Sequence, residues 1–132
     1  MIAVMINNIS VAQPVQTGLN DADIIYETEV EGGITRLVAL YQDTTKTEKI
    51  GTIRSARYAF IDLAMGHNAI YVHHGQDSIH AGKHLNDVSR VVVSENNASG
   101  VRIKNGLASE HTLYAYGQGL WDTAVSNGIK TE

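Results

Sequence analysis

Cysteine is absent from this chain of 132 residues, so a disulfide framework, a thiolate nucleophile and a thiolate metal site are all excluded. No stretch approaches the roughly 18 apolar residues that a membrane-spanning helix requires. A basic excess is missing too. Lys and Arg number 10 against 14 Asp and Glu, for a formal charge of −4, and the basic residues are scattered. Neutralising phosphates takes clustered cations, so nucleic acid and anionic membrane surfaces are poor partners. There is no G-x-S-x-G elbow, no P-loop and no dinucleotide fingerprint. Repeats, linkers and low-complexity segments are also missing, which predicts one domain over 1–132 around one hydrophobic core. Met1 runs directly into Ile2-Ala3-Val4-Met5-Ile6, which reads as a buried strand and not as a secretory leader. The start is therefore expected to have been trimmed.

What is present is a mixture of strand and helix patterns. The only proline, Pro14, lies in a polar loop ending at Gly18, and Asn20, Asp21 and Asp23 suggest a short helical turn. The clearest local pattern is Ile24 to Glu31, then Gly32-Gly33, then Ile34 to Tyr41. Two β-rich runs around a Gly-Gly pair predict a hairpin with a tight primed turn. In that hairpin Glu29 faces Arg36, Glu27 faces Val38 and Glu31 faces Ile34. One face would carry Glu27, Glu29, Glu31 and Arg36 with Ile34, Val38 and Leu40. The other, the expected core side, would set Tyr26, Thr28 and Val30 against Leu37, Ala39 and Tyr41.

Residues 42–49 read as a loop and 50–53 as a short strand or turn. Ser55 supplies an N-cap for a helix with Ala56, Phe60, Leu63 and Ala64 on one face, ending at Gly66. Strands are expected over 69–73 and 88–94, a short helix over 78–85 and a turn around 96–100. Leu120, Ala124 and Val125 mark a last amphipathic helix ending near Gly128, with Trp121 as a core anchor. Strict β-α-β alternation is lacking. The expected class is therefore α+β, a twisted, mainly antiparallel or mixed sheet packed with helices.

Four stretches carry a family likeness when taken together. They are Ala3-Val4-Met5-Ile6-Asn7-Asn8, Ala22 to Glu27 with Val30 to Arg36, Ile50-Gly51-Thr52-Ile53-Arg54-Ser55-Ala56-Arg57, and Ala69-Ile70-Tyr71-Val72-His73-His74-Gly75. In order and spacing they resemble the N-terminal region of the YerB-like lipoproteins, and Glu110-His111-Thr112-Leu113-Tyr114 is similar to that family's later His-x-Leu-Tyr motif. The likeness covers roughly residues 2–116. It implies an exported bacterial protein on the extracellular face of the cell membrane, held there by a lipidated cysteine upstream of this chain, and a further C-terminal portion that this chain lacks. Thr52 stands where the family often has proline, and Glu110-His111-Thr112 replaces a more usual Pro-His-Asn.

Candidate chemistry centres on charged residues in these motifs. Arg54 and Arg57, three apart across a helix start, suit a paired guanidinium clamp for carboxylate or phosphate. They suit equally well ion pairs to Glu27 or Glu31 that tie helix to hairpin. Glu27 and Glu31, beside Arg36, could divide acid and base roles if their environments pushed their pKa values apart. His73 and His111 fall inside family motifs and could serve as base or orienting partner, or as buried histidines satisfied by the backbone. His80 and His84 are four apart, but the glutamate of the zinc-protease pattern is missing and Gly82 lies between them. No metal and no cofactor are expected.

The leading expectation is a cell-envelope binding module for a polar or anionic ligand, such as a peptide or cell-wall fragment, held by Glu27, Glu31, Arg36, Arg54, Arg57, His73 and His111. A hydrolase of envelope material using Glu and His as acid and base is the alternative. A structural partner in an envelope complex is the third.

Overall fold

The structure, a computed structural model, describes residues 1–29, 34–54, 58–74 and 90–129. At its centre is β1 (Ile2–Ile6), an apolar run buried along its whole length. A strand apolar on both faces is stable only inside a sheet that is covered on both sides. β1 occupies that position, in a five-stranded sheet of order β2 (Ile24–Glu29), β3 (Thr35–Tyr41), β1, β5 (Ile70–His73), β6 (Arg90–Val92). The β2–β3 and β3–β1 pairs are antiparallel, and β1–β5 and β5–β6 are parallel. The sheet is mixed and the class is α+β, as the sequence predicts.

Period-two alternation sends the side chains of β1 into two cores. Ala3 and Met5 join Val38, Leu40 and Tyr71 beneath α1 (Tyr58–Gly66), which contributes Phe60, Ile61 and Ala64. Ile2, Val4 and Ile6 point the other way, with Ala39, Tyr41 and Val72. There they meet a three-stranded antiparallel sheet of order β4 (Lys49–Gly51), β8 (Leu113–Tyr116), β7 (Gly100–Arg102), together with α2 (Gly117–Ser126). This second sheet was not anticipated. Its outer strands are three residues long, and the segment before β8 looks like polar loop because a 3₁₀ turn, Ser109–His111, leads into it.

The hairpin pairing differs from the expected one by a single residue. Glu29 faces Thr35, Glu27 faces Leu37 and Thr28 faces Arg36. Gly32-Gly33, Val30 and Glu31 lie outside the described residues. The cause is tertiary. β3 is locked to β1 from Ile6↔Leu37 to Ile2↔Tyr41, which sets Val38 and Leu40 under α1. Tyr26, opposite Val38, shares that face, and its hydroxyl sits 2.9 Å from His67 Nε2 just past α1. A slip of one residue exchanges every face assignment between paired strands. Arg36 is consequently on the opposite face from Glu27 and Glu29, not beside them.

α2 follows β8 with no intervening loop, and two glycines allow it. A Cβ at Gly117 would run into the carbonyls of Thr44 and Thr47, and one at Gly119 into the carbonyl of Ala98. The Thr44 hydroxyl donates to the Gly117 carbonyl at 2.7 Å, fastening the 42–48 loop to the helix start. Leu120 and Ala124 are buried as expected, whereas Val125 is 56% exposed because it lies one step round the helix from Ala124. Trp121 is half-buried against the core edge. The expected helix over 78–85 and the Ser55 cap lie outside the described residues.

Candidate functional site

The parallel pairing of β1 with β5 runs from Ile2↔Ile70 to Val4↔Val72 and then stops, although both strands continue. Residues 52–54 enter the gap. Ile53 bridges Ile6 in antiparallel sense, the Asn7 N–H donates to the Thr52 carbonyl at 2.8 Å, and the Arg54 N–H donates to the Met5 carbonyl at 3.3 Å. On the far side the His74 N–H donates to the Arg54 carbonyl at 3.1 Å. The Ile53 N–H donates to the Leu113 carbonyl at 2.8 Å, so the same three residues also tie the two sheets together. The large sheet is thus forked at the carboxyl ends of β1 and β5, with Arg54 in the fork.

Alternation then fixes which side chains share a face. Ile53 packs with Ile6 in the core of the smaller sheet, so Arg54 and its neighbour Met5 belong to the α1 side. Tyr71 lies on that side too, and the ring of His73 stacks on it with centroids 5.4 Å apart and planes inclined by 29°. Arg36 follows the same alternation as Val38, one position beyond the Leu37–Ile6 pair. Three of the seven predicted site residues therefore gather around the end of β1 on one face. Arg36 is 5% and His73 2% exposed, Arg54 is half-buried, and each already engages in polar or ring contacts. A guanidinium keeps its charge when buried, and in a low-dielectric site it demands acceptors or opposite charge.

Glu27 stands apart on the other face and is exposed. Its Oε2 accepts from Asn8 Nδ2 at 3.1 Å and from the Thr35 hydroxyl at 2.6 Å. Gln16 Nε2 completes this network, donating to Asn8 Oδ1 at 2.8 Å and to the Asn7 carbonyl at 3.0 Å. His111 is buried at the end of its 3₁₀ turn, with Nδ1 2.7 Å from Asn7 Nδ2, and its carbonyl accepts from Asn105 Nδ2 at 2.8 Å. Glu31 and Arg57 lie outside the described residues. Among the described residues no group of His, Asp and Glu is placed to hold a metal ion, and no helix is long and apolar enough to cross a membrane.

Asn7 and Asn8 are the organisers that the residue-by-residue reading passed over. They link the Glu27 network to His111 and supply the last rung of the fork. A pair of amides directly after a fully apolar strand was the available signal, because such groups at a buried strand end must find partners.

The forked sheet and its sequence motifs have relatives. A family profile described as "Protein of unknown function (DUF3048) N-terminal domain" matches residues 1–130. This chain belongs to that family. The DUF3048 domain is 46% identical over 74 residues to "Putative lipoprotein YerB" of Bacillus subtilis (strain 168), a stretch that makes up 56% of this chain and 22% of the relative. The crystal structure of the YerB protein from Bacillus subtilis superposes with a TM-score of 0.87 and 32% identity, over 98% of this chain and 44% of that one. The DUF3048 domain thus spans less than half the length of the proteins it matches.

Proposed function

We propose that this DUF3048 domain binds the anionic group of a polar ligand at the carboxyl ends of β1 and β5, within an exported envelope protein. One observation supports the reading: by strand order and alternation Arg36, Arg54 and His73, from three separate segments, fall on one face around the carboxyl end of β1. The carboxyl ends of parallel strands are where open α/β sheets place their ligands, because the chain turns there leave room and unspent backbone groups. Guanidinium groups at such a position suit a carboxylate or phosphate, which they can grip with paired hydrogen bonds. The lipoprotein name of the Bacillus subtilis relative supports the envelope location and a lipid anchor upstream. A peptide or cell-wall fragment carries the required carboxylates.

The low exposure of Arg36 and His73 favours a second reading, in which the cluster is an internal network and the domain a structural partner. A hydrolase using Glu27 with His73 is the weakest of the three, since the β2–β3 register and the Tyr71–His73 stack set these groups on opposite faces.

Thermal-shift titration with muramyl dipeptide and with inorganic phosphate separates the first two. Binding predicts a rise in melting temperature that Arg54→Ala abolishes while leaving the unliganded melting temperature nearly unchanged. If Arg54→Ala collapses the unliganded protein, and neither probe shifts the native one, the structural reading stands.

A further inference from the structure

The far edge of the large sheet carries a second feature that shares no residue with the fork. An open cleft of about 570 Å³ lies between β6, the turn after it and the last turns of α2, lined by Arg90, Val92, Asn97, Asp122, Thr123 and Ser126 among others. That volume is within the range of about 300–1,000 Å³ usual for small-molecule and short-peptide sites. β6 is the outermost strand on its side of the sheet among the described residues. The direction of its backbone groups follows from one hydrogen bond. The Val93 N–H donates inward to the His73 carbonyl at 2.9 Å, so by alternation the N–H and C=O groups of Arg90 and Val92 point outward. The next outward group, the Ser94 N–H, is taken by the Ser99 hydroxyl at 3.2 Å. The turn therefore closes one end of the edge and leaves Arg90 and Val92 facing the cleft.

The side chains add direction. Val92 is 46% exposed and, with Ala98, gives the cleft apolar surface beside its polar groups. Asp122, Thr123 and Ser126 recur at helical spacing on α2 and line the opposite wall. Arg90 on the strand and Asp122 on the helix supply one charge of each sign. No hydrogen bond or ion pair engages the Arg90 side chain among the described residues, whereas Asp122 accepts from Gln118 Nε2 at 2.9 Å and keeps its second oxygen for another donor.

We propose that this cleft binds an extended peptide that adds to the outer edge of β6. Main-chain hydrogen bonds would run to Val92, an acidic group would meet Arg90, and a basic group would meet Asp122. Strand addition of this kind draws its affinity from backbone pairing and its selectivity from the flanking side chains. A free sugar or a lone anion would use the side chains but has no backbone to pair with the edge.

The test uses the 132-residue protein and a fluorescein-labelled peptide, Lys-Val-Thr-Val-Glu, beside the same peptide N-methylated at alternate residues. Amide shifts in an NMR titration should map to Val92, Thr123 and Ser126, with anisotropy giving the affinity. N-methylation, which removes the donors and blocks pairing, should abolish binding. Arg90→Ala should weaken it about tenfold, the loss expected for one charge-assisted hydrogen bond. Val92→Pro deletes an outward N–H that the ladder does not use, which an edge strand tolerates. A folded Val92→Pro protein should therefore lose the peptide, and if that variant does not fold, the N-methylated peptide carries the same test. Equal affinity for the N-methylated peptide, shifts confined to another surface, or no shift at Val92 at millimolar peptide would each overturn the proposal.

Discussion

Asn7 and His111, 104 positions apart in the chain, meet through side chains that are both buried, with 2.7 Å between Asn7 Nδ2 and His111 Nδ1. The contact joins the end of β1 to the turn that launches β8, and so clamps the two sheets at the fork. Asn7→Ala leaves a buried imidazole nitrogen unmet, and the expected loss is about 1–3 kcal/mol of unfolding free energy. His111→Ala should cost a similar amount. In a double-mutant cycle by urea denaturation the two changes should be clearly non-additive, since they delete the same interaction. Additive losses would mean that the pair contributes nothing as a pair.

Thr52 presents the opposite case. Its hydroxyl is fully buried and finds no hydrogen-bond partner among the described residues. An unmet buried hydroxyl is a cost, and valine has nearly the same shape without it. Thr52→Val should stabilise the domain by about 1 kcal/mol, seen as a higher denaturation midpoint at unchanged slope.

Gly119 lies so close to the Ala98 carbonyl that any side chain forces the α2 start away from the turn it packs on. Gly119→Ala should cost roughly 1–3 kcal/mol despite alanine's better helix propensity, because the strain of overpacking outweighs the propensity gain. Gly66, at the end of α1 with no positive φ and nothing within 4 Å of an added Cβ, is the control that isolates the steric part.

Tyr41 links stability to alkaline pH. Burial, and secondarily the charge of Asp21, holds its phenol well above the usual value, while its hydroxyl donates to the Gly18 carbonyl at 2.8 Å. A group whose folded pKa is raised contributes stability that is complete below its unfolded pKa and lost as pH climbs toward the folded one. Stability should therefore fall as pH rises above about 10, the unfolded phenol value. Tyr41→Phe should cost about 1 kcal/mol near neutrality and flatten that alkaline slope, measured by urea denaturation across a pH series.

The parts of the fold that can be read from the chain are those where local pattern and burial agree. β1 announces itself by a wholly apolar run, α1 by its Phe60–Ala64 face and Gly66 stop, and the β2–β3 hairpin by two β-rich segments. Register could not be read in this way. Gly32-Gly33 suggests one alignment, but Val38 and Leu40 are committed to the core under α1 and Tyr26 to His67, and those contacts prevail. That single step separates Arg36 from Glu27 and sets these two members of the expected site on opposite faces. The fork was equally hidden, since it needs Thr52 and Arg54 to bond β1 and Ile53 between them to bond β8, partners far away in the chain in both directions. The convergence of Arg36, Arg54 and His73 was legible only as a list of motif residues, and the β6 cleft not at all. Its walls come from Val92 and α2, which local periodicity treats as unrelated elements.

The most direct measurement of the ligand site is an NMR titration of the His73 imidazole with muramyl dipeptide, in the native protein and in Arg54→Ala. An anion gripped at the carboxyl ends of β1 and β5 should move the His73 ring resonances along a saturating curve, and the movement should vanish in Arg54→Ala. Ring resonances that stay fixed while the ligand binds elsewhere, or that respond equally in both proteins, would contradict the assignment of that site.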